Sequence, residues 1–211
     1  MKMNEITNTL TPEQINWLTD MGIDTYTYEN GKVDVQGKVD ISNTKLTSIP
    51  VQFGVVSGNF YCYDNKLTSL VGAPKEVSGH FYCSNNNLTS LAGAPREVSG
   101  NFSCSDNKLT SLAGGPREVG GNFNCSSNKL TSLVGGPREV GGAFHCYSNN
   151  LTSLAGAPRE VSGDFSCSDN KLTSLDGAPR EVGGDFHCSS NKLTSEPDHS
   201  FINIHGDFKW K

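Results

Sequence analysis

Val98-Ser-Gly-Asn-Phe-Ser-Cys-Ser-Asp-Asn-Lys-Leu-Thr-Ser-Leu-Ala-Gly-Gly-Pro-Arg-Glu118 decides the fold, because nearly the same text recurs along the chain. Val35, Val56, Val77, Val98, Val119, Val140, Val161 and Val182 stand 21 residues apart and open eight such units. Self-similarity at a fixed period of this size is the signature of a solenoid, in which each unit is one coil stacked on the next. Within a unit, only Val-x-Gly-x-Phe-x-Cys alternates as a strand does, so Val, Gly, Phe and Cys are expected on one face. The two leucines that follow (Leu109 and Leu112 in this unit) are three apart, which suits an arc returning the chain across the back of the coil, and a Gly and a Pro close it. A three-sided parallel β-helix has turns of about this length, but it would need three alternating stretches per coil where the sequence supplies one.

Composition agrees with a thin, repetitive core. The 211 residues are 35% hydrophobic and 9% aromatic, with 23 glycines. The formal net charge of −5 lacks the concentrated basic face that nucleic-acid binding requires. No apolar run is long enough to span a membrane, and Met1 to Leu10 has no secretory pattern. A complete single domain in the cytoplasm is expected, with a cap at 1–34, repeats at 35–202 and a closing strand at 203–211.

Because coils stack in register, each position in the unit becomes a column along the axis. Phe60, Phe81, Phe102, Phe123, Phe144, Phe165 and Phe186 are expected to form the main apolar column, begun by Val39 and ended by Phe208. All seven cysteines, from Cys62 to Cys188, fall in one inward column, so they read as small buried apolar side chains in a reducing compartment. They form no disulfide or zinc framework, and no metal or cofactor is expected. Asn65, Asn86, Asn107, Asn128, Asn149, Asn170 and Asn191 are expected to bond backbone at the strand-to-arc corner. Lys75, Arg96, Arg117, Arg138, Arg159 and Arg180 run beside Glu76, Glu97, Glu118, Glu139, Glu160 and Glu181, giving basic and acidic columns that read as a solvated edge or a charged docking rail.

The segment Phe-x-Cys-x-x-Asn-x-Leu resembles the leucine-rich-repeat core L-x-L-x-x-N-x-L, with Phe and Cys in the strand positions. The chain is similar to the short bacterial leucine-rich repeats of type III secreted effectors. It is more similar to leucine-rich-repeat proteins of tailed bacteriophages, which share the opening text Val33-Asp-Val-Gln-Gly-Lys-Val-Asp-Ile-Ser42 and the L-T-S-L-x-G-x-P units. The resemblance covers Val33 to Ser195. It implies a leucine-rich-repeat solenoid with a parallel β-sheet on the concave face and irregular return arcs, and a phage-encoded role against a host or antiviral-defence protein.

The ends are expected to be capped. Thr11-Pro12-Glu13-Gln14 reads as an N-cap, a first-turn proline and a capping box, flanked by a Leu10–Ile15 staple, for a helix from Pro12 to about Met21 ended by Gly22. A hairpin is expected around Asn30-Gly31. Near the C-terminus the register slips by one, placing Trp210 in the cysteine column, while Lys209 and Lys211 discourage edge pairing.

With the core monotonous, function is expected in the outward strand positions. Tyr61, Tyr63, His80 and Tyr82 come from adjacent coils and should meet as an exposed aromatic patch; His145 with Tyr147 makes a second, and Asp164 with Asp185 tilts that end towards a basic partner. Catalysis is not expected. Alternation sends His145 and Cys146 to opposite faces, as it does His187 and Cys188, and the two histidines lie two coils apart. A monomeric protein-binding module is therefore expected, with a structural or virion-associated role and small-ligand sequestration as the alternatives.

Overall fold

In the computed structural model, which describes residues 9–211, the chain is a parallel β-solenoid of about eight turns with a 21-residue period. Residues 1–8, assigned above to the cap and read as free of a leader pattern, lie outside the described residues.

Each coil contributes two strands, one more than alternation suggested. The Glu-Val pairs (Glu97–Val98 in the quoted unit) build a first sheet, and the Phe-x pairs (Phe102–Ser103) build a second. Among the described residues the first sheet has ten strands and the second nine. The chain bends between them at a glycine column. A Cβ on Gly100 would lie 2.8 Å from the carbonyl carbon and oxygen of Gly79 in the preceding coil, so only glycine lets the corners stack. Val98 and Phe102 are both buried, as alternation requires, yet they face the core from different sheets.

The third side is an irregular arc. Gly114 there has a φ of 87°, and a Cβ on it would lie 2.9 Å from the backbone nitrogen of Ala92. The turn out of the second sheet passes through a left-handed residue in each coil. These are Asp64, Asn85, Asp106, Ser127, Ser148, Asp169 and Ser190, with φ between 51° and 54°, mostly types whose short polar side chains tolerate that conformation.

The interior is columnar. From Phe60 to Phe186 successive rings stack with centroids 5.1–5.5 Å apart. Trp17 and Phe53 extend this spine at one end, Phe208 and His199 at the other. The seven cysteines beside it are buried and unpaired by disulfides. Burial alone pushes Cys188 up to about 12, and it raises Cys62, Cys83, Cys104, Cys125, Cys146 and Cys167 as well.

The asparagine column bonds as expected. Asn128 Nδ2 donates to the carbonyls of Cys104 (3.0 Å), Cys125 (3.2 Å) and Ser126 (3.1 Å), while its Oδ1 accepts from Leu109 N–H at 2.9 Å. One side chain thus ties three carbonyls and one amide across two coils. Asn128→Ala leaves those groups buried and unmatched, and should lower stability by about 1–3 kcal/mol. A urea midpoint equal to wild type would show the column to be dispensable.

The helix α1 spans Pro12–Asp20, with both halves of the Thr11/Gln14 capping box formed. Leu10 packs partly buried against the core, whereas Ile15 is exposed. Strands β1 (Thr27–Glu29) and β2 (Lys32–Val35) form the antiparallel hairpin about Asn30-Gly31, both with positive φ, and β2 starts the parallel pairing of the first sheet. At the far end the slip by one appears as Glu181 paired with Asn203, and Trp210 is partly buried against the core.

Candidate functional site

The outward side chains of the second sheet carry the variable residues. Tyr61 and Tyr82 are directly opposed on neighbouring strands, so coil stacking places their rings face to face at 5.3 Å with 22° between planes. His80 lies parallel to Tyr82 at 5.6 Å, and Tyr63 meets Tyr61 edge-on at 6.0 Å. All four are half-buried and form one continuous patch.

The size of the side chains in the Tyr61–Tyr82 column then falls to Ser103 and Asn124 before rising again at His145. This step leaves an open trough of about 730 Å³, lined by Tyr61, Tyr63, Tyr82, Asn101, Ser103, Asn122, Asn124 and His145, with Asp64 at its rim. The tyrosine patch therefore shares one depression with His145. Tyr147 stands beside that histidine at 6.1 Å.

The polar residues of this face have a second task that the sequence reading missed. Asn59 Oδ1 accepts the His80 N–H (2.8 Å), His80 Nδ1 the Asn101 N–H (2.9 Å), Asn101 Oδ1 the Asn122 N–H (2.8 Å), and Asn122 Oδ1 the Ala143 N–H (2.8 Å). After a gap at Ala143, which has no side-chain acceptor, Asp164 and Asp185 resume the rungs by accepting from Asp185 N–H and Asp207 N–H. From Asn59 to Asp185, each coil except that of Ala143 thus hands a side-chain acceptor to the backbone of the next. The usable signal was that nearly every member of the column carries an acceptor, whatever its charge. Asp164 and Asp185 are therefore structural rungs as well as acidic groups. The Asp185 carboxyl is held below the usual range, chiefly by the Asp207 N–H and then by Lys209 at 2.9 Å.

Against protein-family models, curated proteins and solved structures, the chain matches nothing. Its functional reading rests on the geometry of this face and on the sequence.

His145 is the most perturbed base in the trough. Burial lowers its pKa, Asp164 opposing, which favours the neutral imidazole, and its Nδ1 has no hydrogen-bond partner among the described residues. Its chain neighbour Cys146 is fully buried on the opposite side of the strand, with its thiol raised far from the thiolate form. Such a pair cannot transfer a proton within one strand. Among the described residues, no group of three or more His, Cys, Asp or Glu is placed to hold a metal ion. No described helix is long and apolar enough to cross a membrane. On the first sheet, the glutamate column lies in register and exposed beside the exposed basic column, and no Arg–Glu pair of these columns comes within ion-pair distance among the described residues.

Proposed function

We propose that this chain is a non-enzymatic protein-binding module of the leucine-rich-repeat type, which engages its partner through the outward face of the second sheet. The observation that carries this reading is the contiguous Tyr61–Tyr63–His80–Tyr82 patch on a face whose neighbours are small and polar. Tyr is a frequent interface anchor, being large, stiff and amphipathic. Such a patch interrupts an otherwise uniform repeat, and no packing requirement calls for aromatic residues there, since Ser103 and Ser166 occupy equivalent positions. The leucine-rich-repeat assignment is supported by the asparagine column, which bonds at the strand-to-arc corner as the repeat core demands. By the resemblance stated above, the partner is a host or antiviral-defence protein met in the bacterial cytoplasm, and the module acts as a monomer.

The test is affinity capture from bacterial lysate with wild-type protein and with Tyr61→Ala/Tyr82→Ala side by side. A partner retained by wild type and lost by the variant supports the reading. Equal retention by both overturns it.

A further inference from the structure

We infer that the trough between Tyr82 and His145 accepts a proline-rich segment in the polyproline II conformation. The inference rests on the protein-binding reading of this same face and names what the partner presents to it.

Asn59 and Asn101 must each turn Oδ1 towards a backbone N–H, because only the oxygen can receive it, and this fixes both amides. Their Nδ2 groups then donate to the hydroxyls of Tyr61 (2.7 Å) and Tyr82 (3.2 Å). Each phenol is thereby engaged as an acceptor, and its own O–H is left to donate outward. Asn122 Oδ1 is likewise spent on Ala143 N–H, and Asn124 Oδ1 on the N–H and hydroxyl of Ser126. The Nδ2 groups of Asn122 and Asn124 have no protein partner among the described residues. The trough therefore offers four donors whose companion acceptors are already occupied.

A matching ligand is rich in acceptors and poor in donors. It is not anionic, because among the described residues no cation lines the trough, Asp64 is part of its lining and the chain carries a net charge of −5. Consecutive prolines meet these terms: each carries a carbonyl without an N–H, and its apolar ring packs on an aromatic face. Length agrees as well. Tyr82 and His145 lie three coils apart, about 14 Å by strand spacing, which four or five residues of polyproline II cover at about 3.1 Å each.

The probe is fluorescently labelled N-acetyl-decaproline amide, titrated against the whole protein by anisotropy, with maltohexaose as the neutral hydroxyl-rich comparison. Saturable binding of decaproline is expected. Tyr61→Phe/Tyr82→Phe keeps the rings and removes two donors, and should weaken binding about tenfold. Asn122→Asp turns a donor into an acceptor and should weaken it similarly. Its melting temperature should not change, because Asp164 and Asp185 already hold the same rung. The inference is overturned if decaproline does not bind, if both variants bind it as wild type does, or if maltohexaose binds through these residues instead. Should decaproline fail while Tyr61→Ala/Tyr82→Ala still loses its captured partner, only the polyproline assignment falls. If capture is also indifferent to the tyrosines, the protein-binding reading falls too.

Discussion

Under reducing conditions the protein should unfold cooperatively as the pH is raised from about 9 to about 10.5, and refold when the pH is returned to 7. The cause is the buried thiol column. An unfolded cysteine titrates near pH 8.5, whereas burial holds the seven native thiols above that value, with Cys188 at about 12. Below the unfolded pKa both states keep their protons and stability is complete. Above it the unfolded chain sheds protons that the native chain retains, so stability falls until the native pKa is reached. Each thiol then costs about 1.4 kcal/mol per pH unit, and seven together approach about 10 kcal/mol per unit. That exceeds much of the 5–15 kcal/mol or so available to a typical domain, so the transition is steep. Circular dichroism against pH follows it, and successive Cys→Ala replacements should flatten the slope in proportion to the thiols removed. In the native protein at pH 8 the thiols should resist a thiol reagent, with all seven reacting in urea. A native spectrum persisting at pH 11 would falsify the column's role.

Tyr61→Ala/Tyr82→Ala should abolish partner capture while leaving the melting temperature close to wild type. Both rings stack on each other outside the core, so their removal opens no cavity among the phenylalanines. Truncating an interface anchor costs about 2 kcal/mol or more, roughly thirtyfold in affinity, and two such losses exceed the range of a capture assay. Arg117→Ala/Arg138→Ala in the exposed basic column beside the first sheet is the matched control and should capture normally. Binding that survives loss of the tyrosines and fails with the arginines would move the site to the charged columns.

What could be read from the sequence was whatever the repeat enforces. Phe102, Cys104 and Asn107 recur every 21 residues, and one unit predicts where all their counterparts lie. The second sheet escaped notice because Val98 and Phe102 are both inward, and inward–outward alternation continues smoothly through a bend at Gly100. A straight strand and a bent one share that pattern. The clue was a glycine at every corner, which a straight strand has no need of. The rungs from Asn59 to Asp185 were hidden for another reason. Asn, His and Asp differ in charge but share an acceptor at similar reach, so a column that looks variable in chemistry is constant in hydrogen bonding. The trough itself comes from the fall in side-chain size between Tyr82 and His145, which is visible in the column, but its donor surplus follows only from knowing which oxygens are occupied.

Ala143 gives the stack a seam. It is the one position between Asn59 and Asp185 in that ladder where a coil offers no side chain to its successor, and the Asp164 amide lacks the rung that its counterparts possess. In a molecule whose coils touch only their neighbours, cohesion is set junction by junction, and the weakest junction decides where the rod opens. Brief separations of the two blocks should start between the coils of Ala143 and Asp164, and exchange of the Asp164 amide with deuterium should outpace that of Asn122 or Asp185. The tyrosines and the trough lie on one side of this seam and the paired aspartates on the other, so the binding face can remain intact while the distal block breathes.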